Sequence, residues 1–218
     1  MKQGIFLATI LFIAAGFGES YLYSRKDLKG NMVNKNKHVC PVKHAAFLDN
    51  RIRKLLHNPK KILGDYVKDG MTVLDLGCGP GFFSIELAKM VGVSGQVIAA
   101  DLQEGMLQKL KAKIGGTGFE KRIKLHKCDE NKIGVMEKVD FILAFYIIHE
   151  VPDQKAFLEE IKSILKPTGN VFIVEPKLFH VSKKAFEETI TKAIEIGFMP
   201  IERPRVLLSR AVILKKTN

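Results

Sequence analysis

The stretch VLDLGCGPGFF, residues 73–83, constrains the fold of this chain more than any other part of the sequence. Its short run of apolar residues is typical of a buried β-strand, and the glycine-rich segment that follows allows a tight turn into a helix. Because glycine has no Cβ, such a turn lets the backbone approach a ligand at the carboxyl edge of a sheet, where open α/β folds bind nucleotides. The stretch therefore predicts an α/β domain with a ligand site at this turn.

From residue 71 onward, short runs of Val, Ile, Leu and Phe alternate with longer segments of helical periodicity, which is typical of repeated βα units and a parallel sheet. Strands are expected at residues 72–76, 96–100, 124–127, 139–145 and 170–175, followed by a closing hairpin at 198–202 and 206–214. Helices are expected at 45–56, 83–91, 104–114, 154–165 and 183–196. Pro167 and Gly169 are the stop signals of the helix at 154–165.

Acidic residues recur at successive predicted strands. Asp75 lies inside the first strand, Asp101 ends the second, and Asp129 follows the third. A carboxylate at position 75 would repel a pyrophosphate and suits a cationic amino-acid moiety. Asp101 follows Gly81 by 20 residues, a spacing at which an acid can bind the ribose hydroxyls of an adenosine. Phe82 stands where a dinucleotide-binding fingerprint has its third glycine, which argues against a nicotinamide cofactor.

With these motifs in order, the chain resembles the class I S-adenosylmethionine (SAM)-dependent methyltransferases of the type 11 and type 25 groups, over about residues 63–214. The matching segments are VLDLGCGPGFF, VIAADLQEGML, the acid after the third strand, VDFILAFYIIHEVPD and LKPTGNVFIVEPK. The resemblance implies an α/β, Rossmann-like, doubly wound sheet of seven mostly parallel strands. Its implied order is 3-2-1-4-5-7-6, with an antiparallel last strand and N-terminal helices ahead of it. It also implies SAM as the cofactor and methyl transfer as the reaction.

The resemblance further implies which residues hold the cofactor. The first acid and the glycine loop would surround the methionine part and the sulfonium, the second acid would bind the ribose, and the third would bind the adenine amino group. Backbone carbonyls at the end of the fourth strand would bind the methionine amine. The residues so implied are Asp75, Gly77, Cys78, Gly79 and Gly81, then Asp101, Leu102 against the adenine face, Asp129 with Glu130 as its alternative, and Ala144 and Phe145.

Methyl transfer at a sulfonium needs little covalent chemistry from the protein, so positioning and exclusion of water matter most. A general base is required only when the acceptor must lose a proton. Tyr146, His149 and Glu150 follow the fourth strand, where the acceptor would lie. The candidate catalytic residues are His149, with a packing role as its alternative, and Tyr146, as an aromatic that positions the acceptor.

No metal site is expected. His38, Cys40 and His44 form an H-x-C-x3-H cluster, but a structural metal site usually needs a fourth ligand, and the sequence shows no partner pair. The three cysteines of the chain have unrelated spacings, which argues against a disulfide framework.

The N-terminal segment is expected to attach the protein to a membrane. Residues 4–18 are apolar apart from glycine and one threonine, and basic residues follow. The positive-inside rule then predicts a single-pass anchor at 1–23, a basic linker at 24–44, and a methyltransferase domain at 45–218 in the cytoplasm. The apolar run is short for a bilayer, so a cleaved signal segment and a buried N-terminal helix remain alternatives.

The acceptor follows less directly from the sequence. The net charge of +12 favours anionic partners, and basic residues such as Arg53 and Lys60 are expected either against an anionic membrane surface or on a solvated helix face. The fourth-strand motif AFYI differs from the tetrad of nucleic-acid base methyltransferases, so nucleic acid is not the expected acceptor. Because only a short loop follows the fifth strand, the N-terminal helices are expected to cover the acceptor site. This favours a small molecule, either hydrophobic or a lipid, such as a quinone precursor. The alternatives are a soluble thiol or amine, RNA, and a membrane-attached SAM-binding module without catalysis.

Overall fold

The computed structural model describes Arg53 and residues 56–177 and 181–217. Within these residues the strands are β1 (Thr72–Leu76), β2 (Gln96–Asp101), β3 (Ile123–Lys127), β4 (Val139–Phe145), β5 (Leu165–Pro176), β6 (Phe198–Glu202) and β7 (Ser209–Lys216). The helices are α1 (Pro59–Leu63), α2 (Ser84–Met90), α3 (Glu104–Ile114), α4 (Gln154–Ile164) and α5 (Lys183–Glu195). Short 3₁₀ turns occur at Phe119–Lys121 and Ile148–Glu150.

The strands form one sheet in the order β3-β2-β1-β4-β5-β7-β6. The pairs from β3 to β5 are parallel, and β7 runs antiparallel to both β5 and β6. This confirms the predicted strand order and the antiparallel last strand. Because the chain runs outward from β1 to β3 and then returns to the other side of β1, a crevice opens at the carboxyl edge between the two halves.

Each face of the sheet is covered by its own hydrophobic cluster. Along β4, Phe141 and Leu143 belong to the cluster that includes α2 and α3, whereas Ile142 and Ala144 belong to the cluster that includes α4 and α5. Side chains alternate between faces along a strand, so a strand buried on both faces must be apolar at nearly every position. This explains the continuous apolar runs in the sequence.

Side-chain caps define where two of the helices begin. Asp153 accepts a 3.0 Å hydrogen bond from the N–H of Ala156 at the start of α4, and Ser182 accepts one of 3.0 Å from the N–H of Ala185 at the start of α5. Each cap satisfies a backbone donor that has no partner within its helix. The two helices therefore start directly after the loops that leave the carboxyl edge.

Two strands, β5 and β7, begin several residues away from the positions expected from the sequence. The helix α4 stops at Ile164, and β5 begins at Leu165 instead of residue 170, since Leu165 is buried and extended and pairs with Val139. The pairing then shifts register across the stretch that contains Pro167. Strand β7 begins at Ser209, because Leu208 has a φ of 57° and a turn bond joins the N–H of Ser209 to the carbonyl of Val206.

The N-terminal predictions are tested only in small part. Of the helix expected at 45–56, Arg53 and Leu56 are described and both are helical. The expected anchor at 1–23, the linker at 24–44 and the H-x-C-x3-H cluster lie outside the described residues. In the part of the chain that the structure does describe, no helix is long and apolar enough to cross a bilayer.

Candidate active site

The loops that follow β1, β2, β3 and β4 surround a cleft of about 460 Å³ at the carboxyl edge of the sheet. The glycine loop forms one side, and the loops after β2 and β3 form a second. Residues after β4 and Arg53 complete the lining. Nine of the twelve predicted site residues line it: Asp75, Gly77, Cys78, Gly79, Asp101, Leu102, Asp129, Phe145 and Tyr146.

The glycine loop is a tight turn fastened to β2. Both Gly77 and Cys78 donate backbone hydrogen bonds to the carbonyl of Ala100, at 2.9 and 3.0 Å. Gly81 has a φ of 89°, and a Cβ at this position would lie 2.3 Å from Cδ1 of Leu110 in α3. Glycine is required there by both the backbone conformation and the packing of α3. Gly81 itself lies beneath the cleft and does not line it.

Asp75 is a buried acid in the wall of the cleft. Its side chain is 2% exposed and accepts a 2.6 Å hydrogen bond from the hydroxyl of Ser84. Burial raises the pKa of Asp75 to about 7, an effect that Ser84 opposes and that the nearby Asp101 adds to. A buried carboxyl group with a raised pKa lacks compensating positive charge. The group therefore suits a cationic ligand.

Asp101 is held in a fixed orientation at the end of β2. Its Oδ2 accepts a hydrogen bond from the N–H of Gly79, and its Oδ1 accepts one from the N–H of Gln103, each at 2.8 Å. Burial raises the pKa of Asp101, and these two backbone donors oppose that effect. Each oxygen retains a further lone pair. The carboxylate can therefore accept hydrogen bonds from two vicinal hydroxyl groups, as ribose offers.

The loop after β3 forms the opposite wall. Asp129 and Lys132 exchange backbone hydrogen bonds of 3.0 and 3.4 Å, and the carboxylate of Glu160 in α4 accepts bonds of 2.8 Å from the N–H groups of Ile133 and Gly134. Glu160 was not among the predicted residues, although it fixes the loop. Glu130, the predicted alternative to Asp129, also lines the cleft, so both acids remain candidates for the adenine.

His149 does not line the cleft. Its Nδ1 is bonded to the carboxylate of Glu175, which is 2% exposed and also accepts a 2.9 Å bond from the N–H of Ile148. Burial alone lowers the pKa of His149, but the hydrogen bond and charge of Glu175 outweigh it and raise the pKa above its ordinary value. The geometry thus corresponds to the alternative of a packing role, in which His149 holds the turn after β4.

Tyr146 lines the cleft, whereas its hydroxyl is hydrogen-bonded to residues outside the cleft. The hydroxyl lies 2.6 Å from Oγ of Ser209 and 3.3 Å from Nε2 of His57, neither of which lines the cleft. The backbone has a φ of 63°, a conformation that is strained for a residue with a Cβ, and its N–H donates to the carbonyl of Val174 at 2.8 Å. Ala144, the residue before Phe145, is fully buried in β4 and does not line the cleft.

The end of the cleft beside Tyr146 has an aromatic wall, formed by Phe82, Phe83, Phe145 and Tyr146. The ring centroids of consecutive members lie 4.9, 4.5 and 4.4 Å apart. Phe82, in the place of the missing third glycine, is one of its members. The wall offers flat apolar surfaces that suit a planar ligand.

Several lining residues were not predicted as site residues, Arg53 and Glu150 among them. Arg53 lines the cleft, with its guanidinium carbon 4.6 Å from the ring centroid of Phe82. The local spacing of the sequence gives no signal that would have placed Arg53 in the cleft. Glu150, next to His149 in the sequence, also lines the cleft. Burial raises the pKa of Glu150 to about 8; the charges of Glu175 and Asp101 add to this and His149 opposes it.

Comparison with known proteins identifies the family. A family profile described as a methyltransferase domain matches residues 67–199. The chain belongs to this methyltransferase family. The fold is also similar to the crystal structure of a SAM-dependent methyltransferase from Aquifex aeolicus, with 31% identity and a TM-score of 0.73 over 80% of this chain and 97% of that one. The chain therefore belongs to the SAM-dependent methyltransferases, as predicted.

Among curated proteins, this methyltransferase is similar to demethylmenaquinone methyltransferases. It is 39% identical over 110 residues to the protein from Lactobacillus johnsonii, a match that covers 50% of this chain and 45% of the relative. It is 31% identical over 116 residues to the protein from Bacillus subtilis, covering 52% of this chain and 50% of the relative. The chain thus spans about half the length of the curated relatives it matches.

The described cleft fits SAM as the methyltransferase cofactor. Its buried acids Asp75 and Asp101 both have raised pKa values, which indicates a deficit of positive charge that a sulfonium and an ammonium group would supply. Gly77 has a φ of 67°, and a Cβ there would lie 3.0 Å from Cδ1 of Ile147, so any other residue in this part of the cleft wall would be both strained and crowded. The individual contacts to SAM remain predictions.

Proposed function

We propose that this methyltransferase acts on a small hydrophobic aromatic acceptor of the demethylated quinol class. The observation that carries the proposal is the aromatic wall at the end of the cleft beyond the glycine loop. All four of its members line the cleft, so this end of the cleft offers apolar contact to a ring. The curated relatives named as demethylmenaquinone methyltransferases support the same class.

The chain's own residues perform positioning and proton transfer. When bound, SAM would supply a methyl group activated by a sulfonium: its carbon–sulfur bond would break as the acceptor atom bonds to the methyl carbon, and the sulfur would leave as a neutral thioether. The aromatic wall holds the acceptor ring and excludes water from the reacting atoms. Glu150 accepts the proton that the acceptor must lose, because its pKa of about 8 lies nearer to that of a phenol, ~10, than an ordinary carboxyl group does.

The test is methyl transfer from labelled SAM by the full chain in detergent. Four acceptors are compared: a reduced demethylated naphthoquinone with a short side chain, a small thiol, a small amine and RNA. We expect label only in the quinol. Label confined to the thiol, the amine or RNA would contradict the proposed acceptor, and SAM binding without transfer to any of the four would favour a non-catalytic module.

A variant tests the aromatic wall directly. Phe83→Leu keeps an apolar side chain but removes the ring, so the KM for the quinol should rise several-fold while the Kd for SAM stays the same. Phe119→Leu is the matched control, because Phe119 is an aromatic residue outside the cleft. If the two variants have the same KM, the acceptor does not stack on this wall.

We also infer that residues 1–23 anchor the protein in a membrane, with the methyltransferase domain in the cytoplasm against its anionic surface. The support is the apolar run at 4–18, the basic residues after it and the hydrophobic acceptor proposed above. Cell fractionation followed by a carbonate wash should leave the full chain with the membranes. Release of an intact, unprocessed chain by the wash would contradict an anchor, and a mature N-terminus within residues 14–20 would show cleavage instead.

A further inference from the structure

We propose that Arg53 binds the carboxylate at the methionine end of SAM. The proposal rests on SAM as the cofactor and is independent of the acceptor proposed above. It would make a residue ahead of the matched region, 67–199, part of the cofactor site.

Acidic side chains outnumber basic ones in the lining of the cleft, so a ligand carboxylate needs a cation to bind there. Among the described residues that line it, five are acids: Asp75, Asp101, Asp129, Glu130 and Glu150. Only two are cations, Arg53 and Lys132. A carboxylate enters such a site favourably only if a cation meets it, because burying an unpaired charge is costly.

The two cations lie at different ends of the cleft. Lys132 belongs to the loop after β3, where its backbone is bonded to Asp129, one of the two candidate acids for the adenine. Arg53 lies over the aromatic wall, with its guanidinium carbon 4.6 Å from the centroid of Phe82 and 5.9 Å from that of Phe145. Phe82 directly follows the glycine loop, so Arg53 is the cation at the methionine end.

Nearby ionisable groups support this position. Burial raises the pKa of Asp75 and of Tyr146, and the charge of Arg53 opposes that effect at both residues. Arg53 is therefore close to the acid that faces the cationic part of SAM. The methionine end of SAM would then have the acid Asp75 beside its sulfonium and the cation Arg53 beside its carboxylate.

The backbone of Arg53 is bonded to His57, which packs against the end of β4. The N–H of His57 donates to the carbonyl of Arg53 at 2.7 Å, and Nε2 of His57 lies 3.1 Å from the carbonyl of Leu207. His57 is 4% exposed and packs edge-on against Phe145, with ring centroids 5.3 Å apart. His57 thus connects Arg53 to the end of β4. The guanidinium carbon lies within cation–π distance of the Phe82 ring, and a guanidinium can donate two parallel hydrogen bonds to a carboxylate.

The test compares two ligands that differ only in the carboxylate, SAM and decarboxylated SAM, by calorimetry on the full chain. The wild type should bind decarboxylated SAM on the order of 10- to 100-fold more weakly, as expected for a lost charge-assisted bidentate contact. Arg53→Met should weaken SAM binding by the same factor and leave the affinity for decarboxylated SAM unchanged. Arg53→Lys should restore part of the preference.

Arg122→Met is the matched control. Arg122 also lies over an aromatic ring, 4.8 Å from the centroid of Phe119, but outside the cleft, so both affinities should remain at wild-type values. Thermal melting establishes that each variant is folded before binding is measured. Equal weakening of both ligands by Arg53→Met, or of neither, would overturn the proposal. No acceptor is present in these measurements, so an error in the acceptor class does not affect them.

Discussion

The side chains of Asp75 and Ser84 are joined by a 2.6 Å hydrogen bond that connects β1 to the first residue of α2. Both residues are buried, and the bond opposes the effect of burial, which raises the pKa of Asp75 to about 7. At neutral pH this carboxyl group is close to its titration midpoint. A cation bound beside it should complete its ionisation.

We therefore expect SAM affinity to depend on pH through Asp75. Below about pH 7 the group is protonated in the free protein and must release its proton on binding, so affinity should rise from pH 5.5 to 7 and level off above 8. Calorimetry in buffers of different ionisation enthalpy would detect the released proton. Asp75→Asn should weaken binding about tenfold or more and flatten the profile, whereas Asp65→Asn, at an exposed position, should do neither. Proton uptake on binding at pH 6 would contradict this assignment.

The proton-accepting role proposed for Glu150 predicts a pH dependence of catalysis. A base works only when ionised, so kcat/KM for the acceptor should rise with pH toward the pKa of about 8. Glu150→Gln should lower kcat about 100-fold and remove this limb. Glu159→Gln serves as the control because Glu159 is exposed on α4 and does not line the cleft. Equal kcat values for Glu150→Gln and the wild type would refute the role.

For Tyr146, the hydroxyl and the ring should have separable effects. The hydroxyl is bonded to Ser209 at 2.6 Å, so Tyr146→Phe should cost about 1 kcal/mol of stability while kcat stays within a few-fold of wild type. Ser209→Ala should show a similar loss of stability. Denaturant unfolding and initial rates measure the two quantities. A 100-fold fall in kcat for Tyr146→Phe would instead show that the hydroxyl takes part in the reaction.

The buried pair of His149 and Glu175 should stabilise the protein in a pH-dependent manner. The pKa of His149 is raised above its ordinary value of 6.5, so the contribution of the pair is complete below that value and is lost as pH rises through the folded-state pKa. The free energy of unfolding of the wild type should exceed that of His149→Gln by more at pH 6 than at pH 9. A difference that is constant across this range would show that the pair is not charged.

The packing of Gly81 against α3 can be separated from its backbone conformation. Gly81→Ala should destabilise the protein by more than the ~1–3 kcal/mol expected for a strained backbone, because its Cβ would lie 2.3 Å from Cδ1 of Leu110. Gly116→Ala is the matched control, since Gly116 has a φ of 72° but no atom within 4 Å of the added Cβ. Equal losses in the two variants, measured by denaturant unfolding, would exclude a packing role for Gly81.

Part of the site was predictable from the sequence because it depends on local order along the chain. Asp75, Asp101 and Asp129 each belong to the carboxyl end of a different strand or the loop that follows it, and parallel strands bring those ends to one edge. The glycine turn likewise needs only its own residues to form. No long-range contact had to be known to place these groups together.

Other roles depended on partners far away in the sequence. His149 and Tyr146 follow the same strand, yet Glu175 in β5 engages one and Ser209 in β7 engages the other. Glu150 reaches the cleft because the chain turns after β4. Arg53 reaches it beside His57, whose ring nitrogen contacts the carbonyl of Leu207. The local spacing of the sequence does not indicate which distant residues these side chains contact.

By itself, the sequence determined the alternation of strands and helices, the glycine turn and the acids at the carboxyl edge, because these follow from periodicity and from the chain direction of parallel strands. Only the tertiary structure decided which ionisable groups reach the cleft and which are bonded behind it. The physical reason is that a side chain's surroundings are set by contacts between distant segments. Those contacts also determine its burial, and with it the pKa and chemical role of each group.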